Sequence, residues 1–137
     1  MPYTITINPD IRVSGPVVDQ TAGPMVYRMC RDIQQEIADQ AMWRWQLNMA
    51  ETFRHPTGRY QNSAQIVRRD ADLVVNDNWP ESRLPYGLWL EGIGSRNAPV
   101  TRFPGYHNLK RAAEFVGPRV AAIAAPIVER WVREINA

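Results

Sequence analysis

The chain has 137 residues, 45% of them hydrophobic and 22% charged, the size and make-up of one ordinary globular domain, 1–137. Its single cysteine, Cys30, excludes an internal disulfide framework, and its longest apolar run, 120–128 with Pro126 inside it, falls far short of the roughly 20 residues that a membrane-spanning helix needs. The net charge of +2 is the remainder of opposing blocks: −2 over 1–53, +4 over 54–69, −4 over 70–91, +4 over 92–113 and 0 beyond. A nucleic-acid binder would concentrate its positive charge in one patch, whereas alternating blocks suit contacts between copies of a subunit.

In chain order, residues 1–22 read as an N-terminal strand or extended arm. Tyr3 to Ile7 alternates in period two, and Asn8-Pro9-Asp10 then breaks the pattern. The stretch 1–9 lacks both the basic start and the apolar length of a secretory signal, which predicts a protein that stays in the cytoplasm where it is made. A long helix is predicted over 24–53, with Thr21 or Gly23 as its cap and Pro24 at its first position. Val26, Cys30, Ile33, Ile37, Ala41, Trp45 and Met49 form its apolar stripe, and Pro56 ends it. Such a helix is about 45 Å long, more than a small core needs, so part of it is expected to pack against something outside the subunit.

Over 57–91 the period changes. Ala64–Arg68 and Leu73–Asn76 form a predicted hairpin with a four-residue loop, and Leu88–Glu91 is a third strand, apolar on both faces through Leu88, Trp89 and Leu90. Residues 92–104 read as an extended Gly/Pro-containing loop. Over 105–137, Gly105 and His107 introduce a helix with Leu109, Ala112, Ala113 and Val116 on one face, which Gly117-Pro118 ends. A last helix carries Val120, Ile123, Ile127, Val128, Trp131 and Ile135, with a kink or break expected at Pro126. The fold class is α+β: a strand or arm, one long helix, a small antiparallel sheet of about three to four strands and a helical C-terminus.

The chemistry inventory is nearly empty. Gly92-Ile93-Gly94 opens like a dinucleotide fingerprint, but the third glycine falls at Asn97 and no helix starts there. His55 and His107 are 52 positions apart, so no metal-ligand spacing arises. Ser95, His107 and Asp77 would make a nucleophilic triple on paper, yet no nucleophile elbow surrounds Ser95. Nothing singles out a catalytic pair among the 14 acids, and Cys30 reads as a small core hydrophobe. The expectation is a protein that is no enzyme and holds no cofactor and no metal. Trp43 and Trp45, two apart on the long helix, point in different directions. With Trp45 on the stripe, Trp43 is either an interface anchor or packs under the N-terminal arm.

Three segments in order carry a resemblance: Thr57-Gly58-Arg59 after the long helix, Val74-Val75-Asn76-Asp77 closing the hairpin, and the run from Tyr86-Gly87-Leu88-Trp89-Leu90-Glu91-Gly92 to Asn97. Thr101-Arg102-Phe103-Pro104-Gly105-Tyr106 and a closing helix follow. This order resembles small tail-component and tail-completion proteins of long, non-contractile-tailed phages, particularly those infecting actinobacteria, and it covers roughly residues 24–116. The N-terminal arm and Pro126 lie outside it. The resemblance implies a virion protein of the neck or tail, made in the host cytoplasm, acting as tail terminator, completion protein or capsid-side adaptor. It implies a ring of about six or twelve copies, a closed heterologous assembly, whose partners are itself and the adjacent neck and tail-tube proteins. DNA would pass nearby without specific binding.

Trp43, Trp89, Glu91, Arg96, Arg102 and Tyr106 are the candidate assembly residues. Glu91, Arg96 and Arg102 would make contacts between subunits or toward the tube, with Trp89 and Tyr106 fixing the base of the loop. The competing class is a nucleic-acid-binding module that uses the basic 92–113 segment, with Phe103 and Tyr106 available to stack on bases.

Overall fold

A computed structural model describes residues 4–8, 23–53, 58, 60–77 and 106–135. Its order is β1 (Ile5–Ile7), α1 (Gly23–Thr52), a 3₁₀ turn (Gln61–Ser63), β2 (Gln65–Arg69), β3 (Asp72–Asn76), α2 (Asn108–Val116), a second 3₁₀ turn (Gly117–Arg119) and α3 (Val120–Ile135). This is the predicted α+β class, and the long helix differs from its predicted span by one residue at each end.

The described strands form an antiparallel sheet in the order β1-β3-β2. The N-terminal strand is therefore an edge strand beside β3, with Ile5 opposite Val75 and Ile7 opposite Leu73. The predicted third strand at 88–91, like the loop over 92–104, lies outside the described residues. The hairpin is tighter than its sequence suggested: Arg69 pairs with Asp72, leaving a two-residue turn, Asp70-Ala71, in place of a four-residue loop. Asp70 takes φ 54°, a conformation that its short polar side chain tolerates better than most.

Because opposed residues share a face, Ile5, Ile7, Ile66, Leu73 and Val75 all point to one side of the sheet. There they meet the buried row of α1, Met29, Ile33, Ile37, Ala41, Trp45 and Met49. Helices α2 and α3 close the core from the far side of α1 with Leu109, Ala112, Val116 and Ile123. Each large side chain so buried contributes about 1.5–3 kcal/mol. Cys30 departs from its predicted place: Met29 takes the core position, and the thiol is only half-buried.

The C-terminal helices divide at Gly117-Pro118 as the sequence predicts, α2 ending at Val116 and α3 starting at Val120. Gly117 keeps right-handed dihedrals, so α2 passes through a 3₁₀ turn into α3 without a break in handedness. The break expected at Pro126 is absent, and helix α3 continues through it. Proline removes the hydrogen bond to the carbonyl four residues earlier, here that of Ala122, and both residues are exposed, so water can serve that carbonyl.

Candidate assembly surface

Of the six candidate assembly residues, Trp43 and Tyr106 are among the described ones; Trp89, Glu91, Arg96 and Arg102 lie outside them. The structure places Trp43 and Tyr106 in different settings. Trp43 is on the solvent side of α1 and 58% exposed. Leu47, half-buried, and Ala50, exposed, follow at the i+4 and i+7 positions of the same face, extending the indole into an apolar strip. One turn earlier the face is polar, with Arg31, Gln35 and Asp39 exposed at four-residue spacing. The C-terminal half of α1 is thus apolar on two sides, one in the core and one facing solvent.

Tyr106 is half-buried where the chain enters α2. Its ring lies 5.5 Å from that of Phe53 at the end of α1, and Phe53 in turn lies 6.2 Å from Tyr60. Tyr60 meets Trp45 edge-on at 6.4 Å, so a run of aromatic contacts leads from the core to Tyr106. The Tyr60 hydroxyl donates to the buried carboxylate of Asp77 at 3.3 Å. His107, next in the chain, adopts φ 53° and its carbonyl accepts the first turn of α2 from the Arg111 N–H at 2.8 Å.

Polar side chains hold this corner in place. Asn48 Nδ2 donates to the Asn108 carbonyl at 3.0 Å, Asn108 Nδ2 donates to Thr52 Oγ1 at 2.9 Å, and Thr52 Oγ1 donates to the Asn48 carbonyl at 2.8 Å. In the N-terminal half of α1, Gln34, 2% exposed, donates to the carbonyls of Ile7 at 2.9 Å and Ala71 at 3.0 Å while its Oε1 accepts from Arg68 at 3.2 Å. One amide thereby ties the helix to β1 and to the hairpin turn. Sequence reasoning passed over Gln34 and Asn48. The signal was present, since Gln34, Ala38, Ala41, Trp45 and Asn48 are spaced four, three, four and three apart and form a second buried row beside the first.

Helix α3 carries a second exposed apolar strip. Ile123, Ala124, Ile127 and Trp131 turn toward the core, and Asp32 of α1 accepts from Trp131 Nε1 at 2.8 Å and from Arg130 at 2.9 Å. Beside that face run Ala121, Ala125 and Val132, with Val128, which also packs against the core, between them. All are exposed except half-buried Val128. Val120, expected on the packed face, is exposed as well.

Neither a family model, nor a curated protein, nor a solved structure matches the chain. Among the described residues no helix is long and apolar enough to cross a membrane, and no His, Cys, Asp and Glu side chains group as metal ligands. What this surface offers chemically is apolar area and aromatic anchoring beside a rigid, hydrogen-bonded corner, the composition of a protein–protein contact.

Proposed function

We propose that the chain is a structural virion protein of a phage neck or tail, a tail-completion, tail-terminator or connector subunit that assembles into a ring joining capsid and tail tube. The observation that carries the reading is the exposed strip of Trp43, Leu47 and Ala50 on a helix whose opposite side already fills the core. A monomer gains nothing from leaving a tryptophan in water, whereas tryptophan is favoured as an interface anchor. Support also comes from the ordered resemblance over residues 24–116, from the alternating charge blocks, and from the second apolar strip on α3, since a ring subunit needs two different surfaces to meet its two neighbours. Tyr106 contributes by holding the start of α2 against the end of α1 through its contact with Phe53.

The test is the oligomeric state of the purified protein together with its position in imaged virions. The expected results are closed rings and density between portal and tail tube. Reversing the charges at Arg96 and Arg102 together should stop ring formation or virion maturation and leave the monomer folded. A protein that stays monomeric at all concentrations and is missing from virions overturns the reading. Binding to DNA that weakens steeply with salt would favour the nucleic-acid module instead.

A further inference from the structure

The N-terminal half of α1 and the hairpin beneath it enclose a cleft of about 320 Å³, within the size range of small-ligand pockets. Val26, Tyr27 and Cys30 give it apolar walls, Arg31 and Arg68 bring two positive charges, and among the described residues no acidic side chain lines it. The guanidinium of Arg68 is held from one side, Nη1 donating to Gln34 Oε1 and to the Ala71 carbonyl at 3.2 Å each. Both acceptors are neutral. The Arg31 guanidinium lies 4.8 Å from the centroid of the Tyr27 ring. The ion pairs among the described residues, Lys110 with Glu114 and Arg130 with Asp32, involve neither of these arginines. A half-buried guanidinium fixed by neutral partners, with a second beside it and apolar walls around both, is complementary to an anion that brings its own apolar body.

We propose that this cleft binds a small carboxylic acid, its carboxylate between Arg68 and Arg31 and its apolar part against Val26, Tyr27 and Cys30. Gln34 is a positioning residue: both of its amide hydrogens are engaged by backbone carbonyls, and its oxygen aims Arg68. An inorganic anion such as phosphate would leave the apolar walls unfilled. Burial pushes the Cys30 thiol above its ordinary range, so at neutral pH it is uncharged and does not repel the carboxylate.

Cys30 is the chain's only cysteine, so its alkylation by the neutral reagent iodoacetamide reports occupancy of the cleft. Phenylacetate should slow the alkylation several-fold. Phenylacetamide, or phosphate at matched ionic strength, should leave it unchanged. Arg31→Gln, at an exposed position, and Arg68→Gln should each remove the protection; should Arg68→Gln fail to fold, Arg31→Gln decides. Equal protection by the acid and the amide, no protection by the acid, or protection that survives Arg31→Gln would overturn the proposal. So would alkylation that slows with protein concentration alone, which would assign the cleft to a second copy of the chain.

Discussion

Trp43 and Trp45 stand two residues apart on the same helix, and one is 58% exposed while the other is 1% exposed. Two positions on a helix are about 200° apart, so these side chains sample opposite sides of α1. Trp45 sits where the sheet, Tyr60 and the polar corner meet. Trp43 lies on an outer helix face that Leu47 and Ala50 continue. The difference separates what the fold requires of α1 from what is left for something else.

The sharpest way to test that separation is to remove each ring in turn. Trp45→Ala deletes a fully enclosed indole and should cost about 3–5 kcal/mol in urea unfolding; a loss below about 1 kcal/mol would mean that the core does not rest on this side. Next in size is Gln34→Ala. It leaves the Ile7 carbonyl without its side-chain donor, the Ala71 carbonyl with Arg68 alone and Arg68 without one of its acceptors, a cost of about 2 kcal/mol. Proteolysis near the hairpin should rise with it, since the amide is what ties β1 and the turn to the helix.

Asp32→Ala sharpens the comparison from the side of α3, where it removes the acceptor shared by Trp131 and Arg130. Asp32 and Arg130 are both substantially solvent-exposed, so the ion pair is screened and contributes little, and the loss should be about 1 kcal/mol, mostly from the indole hydrogen bond. Thermal melts at low and high salt check this, because a large salt dependence would restore the ion pair as the main term.

How much of this was legible depends on how far a signal repeats. The apolar stripe from Ile33 to Met49 recurs over five turns, and the helix was read from it to within a residue at each end. The hairpin loop reads as four residues in the sequence because Arg69 and Asp72 are polar and flank a turn without glycine, so that nothing local marks them as a ladder pair. Cys30 reads as a core residue because the predicted stripe takes a step of three back from Ile33. The buried row instead keeps its steps of four from Met49 back to Met29, so that Met29 faces inward. At Pro126 a local rule was applied without the burial of Ala122, which decides whether the orphaned carbonyl costs anything. Of the candidate site, Trp43 was readable as off the stripe, but its exposure was not, because whether a flank is covered is a property of the whole chain. Tyr106 was placed at the base of a loop from sequence order alone, while its contact with Phe53 depends on how α2 returns across α1.

The smallest expected change in stability carries the most functional content. Trp43→Ala removes an indole that lies mostly in water, and such surface substitutions stay within about 0.5 kcal/mol. If the exposed strip is an assembly surface, the same substitution should abolish ring formation, as loss of an aromatic anchor at the centre of an interface does. The two measurements must be made on the same variant. Loss of assembly with an unchanged melting temperature assigns Trp43 to contacts between subunits. Loss of both would show that the indole supports the fold, and unchanged assembly would remove Trp43 from the interface and leave the strip on α3 as the surface to test. Pairing it with Val132→Glu, at an exposed position of that second strip, separates the two sides of a ring contact. In a closed heterologous assembly the strips meet different surfaces of two neighbours, so either substitution alone breaks closure, and mixing the two variants restores at most pairwise contacts.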